Sequence, residues 1–210
     1  MGSPVDEQKR TTLRRFAALG ASAPFVGIAS GAEGSTDSDS SESRSEVPDA
    51  IRGYLSTTPG AHFSKLRDDL KLGTGETQHH LRSLIEAGAV DSRRDGEYRR
   101  FFPAGRFSAF EQTALGYLRR ETPRRMVIEL LESPAETGSE LADRLSVSRA
   151  TVSNYAGELE EAGLLDRSEG YVIKQPETVL VLLVRYADSF GPDAVDFAAS
   201  AADLIRVDCS

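Results

Sequence analysis

The chain contains one cysteine, no tryptophan and two methionines in 210 residues. The cysteine is Cys209, next to last. One thiol cannot close an internal disulfide, and it cannot make a structural zinc site. Its position reads as a free thiol on a frayed tail. Lysine is also scarce, occurring only as Lys9, Lys65, Lys71 and Lys174, so arginine carries most of the positive charge. Acidic residues outnumber basic ones, 33 to 25, and the formal net charge is -8. An acidic, lysine-poor surface suits a salt-rich cytoplasm, where ions screen self-repulsion over short distances. An ordinary acidic protein from a high-GC genome has the same composition. Recognisable catalytic settings are missing too: there is no nucleophile elbow, no phosphate-cradling glycine loop and no paired carboxylates. The chain is therefore expected to be neither an enzyme nor a cofactor carrier.

Long hydrophobic runs are absent. The nearest approach is "TLRRFAALGASAPFVGIASGA", where Arg14, Arg15 and Phe16 precede a weakly apolar run rich in alanine and glycine. It resembles a twin-arginine export signal. The run is too short and too rich in small residues for a membrane span. The next stretch, "EGSTDSDSSESRSE", is polar and low in complexity, so residues 1–46 read as a disordered extension. The likeness to an export signal has three explanations: chance in a disordered extension, a wrongly assigned start, or real export or anchoring. The first two agree with the rest of the chain, and the expected location is cytoplasmic, without membrane attachment.

What the chain does contain is a repeat. Sliding it on itself by the separation of Ser64 and Ser139 (139 − 64 = 75) aligns Ser64 to Asp91 with no gap. Leu66 then falls on Leu141, Leu70 on Leu145, and Leu84 on Leu159. Glu86-Ala87-Gly88 falls on Glu161-Ala162-Gly163, and Asp91 on Asp166. The match runs backward to Ile51 on Met126, Leu55 on Leu130 and Pro59 on Pro134. Leucines alone could coincide; leucines, proline, glycine and aspartate at one offset indicate two copies of one unit.

Each unit reads as three helices and a hairpin. In the second, Arg124 to Ser133 is a periodic helix ending before Pro134. Gly138 to Leu145 is a short helix with Leu141 and Leu145 on one face. Ser148 is a natural N-cap for a third helix that stops at Gly163. "LLDRSEGYVIK" then reads as two short strands around Glu169-Gly170. In the first unit the hairpin is "AVDSRRDGEYRRFFP", with an Asp95-Gly96 turn signal. Between the units, "GRFSAFEQTALGYLRRE" reads as a connecting helix capped by Ser108. After the second unit, "PETVLVLLVRYADSF" is more apolar than a solvent-facing helix should be, and a helix from Pro192 follows it. The expected domains are a winged unit over 47–104, a linker helix over 105–122, a second winged unit over 123–176, and a helical segment over 177–210. Excess apolar surface commonly marks a subunit contact. Val179, Leu180, Leu182, Leu183 and Tyr186 are therefore expected to form a homodimer interface.

Helix, short helix, turn, long helix and hairpin is the order of a winged helix-turn-helix, so the fold class is mainly α with small β-hairpin wings, in tandem. "SELADRLSVSRATVSNYAGELEEAGLLDR" resembles the MarR/ArsR-like winged-helix class. The tandem, with "DGEYRRFFP" after the first unit, resembles archaeal (haloarchaeal-type) predicted transcriptional regulators. The resemblance covers about residues 47 to 190. It implies double-stranded DNA as partner, with a helix in the major groove, where each base pair shows its own donor and acceptor pattern. On that reading Arg149, Thr151, Ser153 and Asn154 face the bases or phosphates in the second unit. Thr74, Gln78, His79 and Arg82 do so in the first. Glu76 shares that face and departs from it in charge. Arg93, Arg94, Arg99 and Arg100 flank the first wing's turn and suit phosphate or minor-groove contact, which positions rather than specifies. The second wing, with Glu169 near Arg167, is less basic. The alternative is a tandem winged-helix scaffold that binds protein. His62, His79 and His80 lack a matching carboxylate or cysteine cluster, so no metal is expected. His80 aligns with Tyr155 and reads as a half-buried structural residue.

Overall fold

Residues 4–20, 38–133 and 137–204 are described by a computed structural model. They form two units, which divide between Arg106 and Phe107. The architecture is tandem winged helix-turn-helix, mostly helical with two small antiparallel sheets.

In the first unit, α1 (Pro4–Gly20) packs against α2 (Ser38–Thr57). A short strand β1 (Ala61–His62) leads to α3 (Phe63–Asp69) and then α4 (Thr74–Glu86). The wing is β2 (Val90–Asp95) and β3 (Tyr98–Pro103). Apolar residues at helical spacing explain the assembly. Val47, Ile51, Tyr54 and Leu55 of α2 are buried with Leu66 and Leu70 around α3, and with Leu81 and Leu84 of α4. Val90 and Phe101 close the same core from the wing.

The second unit begins with α5 (Ala109–Leu118) and α6 (Glu121–Glu132). Next come α7 (Gly138–Leu145), α8 (Arg149–Glu161), and a wing of β4 (Leu165–Asp166) and β5 (Val172–Ile173). Three helices follow, α9 (Pro176–Arg185), α10 (Ala187–Phe190) and α11 (Pro192–Leu204). Ser108 caps α5 by accepting from the Glu111 N–H at 3.2 Å, and the Glu111 carboxylate accepts from the Ser108 N–H at 2.7 Å. Helix α5 packs on α6 and α9, so the helix expected to link the units belongs to the core of the second.

Equivalent elements recur at the repeat offset. Helices α3 and α7 start at Phe63 and Gly138, and α4 and α8 at Thr74 and Arg149. The turn between them contains a left-handed residue in both units, Lys71 and Ser146, each with φ 55°. Gly88 and Gly163 end the long helices at φ 68° and 75°, a conformation that costs a side-chain-bearing residue energy.

Four sequence expectations are corrected here. Residues 1–46 read as a disordered extension, yet α1 is helical over Pro4–Gly20 and α2 begins at Ser38. The reason is that Leu13 and Phe16, one turn apart, find apolar ground on α2. Leu13 is buried, and the Phe16 ring meets Tyr54 edge-on at 5.4 Å. The remainder of the twin-arginine-like stretch, from residue 21, lies outside the described residues.

The second correction concerns the expected dimer interface. Val179, Leu182, Leu183 and Tyr186 are buried within their own unit and Leu180 is half-buried, because α5 and α11 cover that face of α9. Val181 and Val184 are the exposed valines of α9. Third, the first wing turns on Gly96-Glu97 rather than Asp95-Gly96. Asp95 pairs with Tyr98, and Gly96, at φ 57°, takes the first loop position, where a II′ turn needs glycine. Fourth, the sheet of the first unit has a third strand, β1, paired with β3.

Polar clamps hold α9 to α11 on the second unit. Arg124, 5% exposed, donates to Asp193 at 2.8 Å and to the Leu118 carbonyl at 3.1 Å. Arg119 donates to the Ser189 hydroxyl at 2.9 Å and lies over the Phe190 ring.

Leu159 is fully buried in α8. Leu159→Ala is expected to lower stability by roughly 2–5 kcal/mol in urea denaturation, the usual range for a core leucine.

Candidate nucleic-acid interface

The third helix of each unit divides into an apolar face and a polar face. In α4, Thr77, Leu81 and Leu84 point into the core, and the Thr77 hydroxyl donates to the Gly73 carbonyl at 2.8 Å. The opposite positions, Thr74, Gln78, His79 and Arg82, are exposed. In α8, Val152, Ala156 and Leu159 are buried while Arg149, Ser153 and Asn154 are exposed. The 3.6-residue period thus fixes which side chains reach solvent. Thr151 is half-buried. Its N–H donates to the Ser148 hydroxyl at 3.0 Å, and the two hydroxyls are 2.9 Å apart. Thr151 is therefore held against the Ser148 cap at the edge of the exposed surface.

Glu76 has a partner that sequence reading does not supply. Its carboxylate accepts from the Lys9 ammonium at 2.9 and 3.1 Å, and from the Gly73 N–H at 3.2 Å. Helix α1 is thereby tied to the first turn of α4. Burial alone raises the Glu76 pKa, but the Lys9 ammonium and the Gly73 N–H outweigh it, and the net shift is downward. Arg82 pairs with Glu86 one turn along the same helix at 2.9 Å, in an exposed position where the pair contributes little to stability.

The four arginines of the first wing separate by strand alternation. Arg94 and Arg99 are opposite each other in the register and share a face with Ser92 and Phe101. Both are exposed, and Arg99 donates to the Ser92 hydroxyl at 2.7 and 3.0 Å. Arg93 is half-buried on the other face, opposite Arg100. Arg100 itself is 3% exposed, bonded to the Asp95 carboxylate and donating to the Gly60 carbonyl at 3.1 Å. This corrects the expectation for Arg100: it is a sheet-locking residue, because pairing β1 with β3 brings Gly60 and His62 beside it and excludes water.

Between α4 and the wing lies a groove of about 590 Å³. Phe63, Leu81, Ile85 and Phe101 supply apolar lining, and Thr74, Gln78, Arg82, Glu86 and Arg99 supply polar lining. The second wing is smaller, with two residues in each strand. Arg167 pairs with Glu160 at 2.8 Å. The Ser168 hydroxyl and N–H hold the Asp166 carboxyl below its usual pKa, so an anion stands at the base of that wing. Positive charge on the wings is thus concentrated in the first unit.

His79 is exposed and His80 half-buried, with ring centroids 5.1 Å apart. Among the described residues, no group of three or more His, Cys, Asp or Glu side chains is placed to hold a metal ion. No described helix is long and apolar enough to cross a membrane.

With this geometry in place, comparison with known proteins points the same way in both units. Residues 45–115 match a family described as an N-terminal HTH domain, and residues 124–174 match one described as an HTH domain. Over 119 residues the chain is 29% identical to an uncharacterised HTH-type transcriptional regulator of the archaeon Methanocaldococcus jannaschii. That alignment covers 57% of this chain and 30% of the relative, so the chain spans well under half of that protein's length. No solved structure matches the chain.

Two outcomes follow from the site's geometry. Arg100→Ala leaves Asp95 without its buried partner and should destabilise the first unit by roughly 3–5 kcal/mol in chemical denaturation; Arg94→Gln and Arg99→Gln should each leave stability nearly unchanged. The Glu76 pKa is depressed in the folded state. Its contribution is therefore present above the unfolded carboxylate pKa and lost as pH falls through the folded one. Amide exchange along α1 should accelerate on acidification through that range, and Glu76→Gln should remove this pH dependence.

Proposed function

We propose that the protein is a DNA-binding transcriptional regulator that reads duplex DNA with α4 and α8 and steadies itself on the backbone with the first wing. One observation carries the reading: both long helices bury a leucine-bearing face and expose a row of hydrogen-bonding side chains. Matching helix-turn-helix domains over both units, and a relative named as an HTH-type transcriptional regulator, support it.

The two units divide the task. In the second, Arg149 suits a guanine edge or a phosphate, Asn154 suits adenine, and Ser153 suits either base or phosphate. In the first, Thr74, Gln78, His79 and Arg82 take the comparable positions, while Arg94 and Arg99 contact phosphate from the wing. Arg93 contributes from the wing's other face, and Thr151 contributes through its hydroxyl, beside the Ser148 cap of α8. Phosphate contacts set the register of the protein on the duplex, and base contacts specify the sequence. No cofactor, metal or catalytic step enters this mechanism. A second copy of the chain would present a further pair of units to a symmetric operator, through a surface other than the buried side of α9. MarR/ArsR-like membership and a haloarchaeal, high-salt setting agree with the sequence resemblance and the acidic, lysine-poor composition.

Chromatin crosslinking of the tagged full chain at native salt should recover discrete genomic sites. Recovery without enrichment at any site would overturn sequence-specific regulation. On a recovered site, Arg149→Ala and Asn154→Ala should each weaken binding by roughly 1–3 kcal/mol and relax base preference at one position. Unchanged affinity and preference in both variants would exclude α8 as a reading helix.

A further inference from the structure

The twin-arginine-like stretch is the sequence feature that the proposed function leaves unused, and the fold gives part of it a place. Helix α1 turns Leu13 and Phe16 inward. Its exposed side includes Arg10, Arg14 and Arg15, together with an acid, Glu7, a turn before Arg10. Arg10 and Arg14 are one turn apart, hence on one face. Arg14 lies 3.6 Å from Glu46 with its side chain 72% exposed, so that contact leaves the guanidinium at the surface. Lys9, adjacent to Arg10, reaches the first turn of α4 through Glu76. The arginine-bearing side of α1 thus begins beside the residues that open the first reading helix, with three arginines against Glu7.

Glu76 explains why this matters. A carboxylate at the third position of a helix satisfies an orphan main-chain donor, and here it accepts from the Gly73 N–H. The same negative charge in the first turn of a DNA-reading helix repels phosphate. Lys9 cancels it at 2.9 Å, without removing the cap.

We propose that α1 is a DNA-contacting element of the first unit: Lys9 neutralises Glu76, and Arg10, Arg14 and Arg15 meet the phosphate backbone. The proposal rests on the DNA-binding reading above and adds a surface to it. It also gives the paired arginines a role within the folded protein.

The test uses the full chain and a fluorescein-labelled mixed-sequence duplex, with anisotropy followed over a series of salt concentrations. Replacing Arg10, Arg14 and Arg15 together by glutamine should lower the slope of log affinity against log salt by roughly one for each arginine that meets a phosphate. Lys9→Gln should weaken binding several-fold, Lys9→Arg should not, and Glu76→Gln should restore most of what Lys9→Gln loses. The triple arginine variant keeps Lys9 and its buried face, so it tests the phosphate contacts with α1 still docked; circular dichroism checks its helix content. A wild-type salt slope in that variant, or a Lys9→Gln loss of equal size with and without Glu76, overturns the role of α1. An unsubstituted chain that fails to bind duplex even at low salt overturns the DNA reading itself, and this inference with it.

Discussion

Burial of one stripe of α4 and α8 is the constraint on which everything else rests. Leu81 and Leu84 in the first unit, and Val152, Ala156 and Leu159 in the second, have little or no contact with water. Removing that apolar surface from water is the dominant favourable term available to domains this small. Once the stripe is fixed, rotation of each helix is fixed too. Thr74, Gln78, His79 and Arg82, and on the other helix Arg149, Ser153 and Asn154, can then only face outward. A slide of one residue would turn the helix by about 100° and put charge into the core.

Electrostatics act on the exposed face as well as inside the fold. The chain is acidic in total, which argues against a polyanion as partner if charge is averaged over the surface. Averaging misleads here. Arg94 and Arg99 stand on one face of the first wing, Lys9 silences Glu76, and the acidic residues Glu160 and Asp166 gather around the second wing. Local potential governs an encounter with phosphate, particularly where salt screens distant charge within a few ångströms. Exposed arginine is therefore denser on the first wing than on the second.

Buried ion pairs distribute structural roles among arginines that sequence alone treats alike. Arg100 and Arg124 are 3% and 5% exposed, each bound to a carboxylate and to a main-chain carbonyl. Such groups hold strands and helices in one arrangement, since breaking them strands a charge away from water. Arg119 and Arg124 together fasten the C-terminal helices over α5 and α6. That fastening makes the apolar face of α9 an internal surface.

Sequence by itself determined the local units. Leucine spacing, the caps at Ser108 and Ser148, the glycines at Gly88 and Gly163, and the offset between the two halves each depend on neighbours within a few turns. They are legible because helix periodicity and capping are short-range effects. Tertiary structure alone decided the long-range pairings: α1 against α2, Lys9 on Glu76, β1 beside β3, and α5 with α11 over α9. Nothing in local spacing tells which apolar stripe meets which, or which arginine will find a carboxylate at a distance in the chain. Those outcomes are set by how separate surfaces together exclude water, and that is a property of the assembled units.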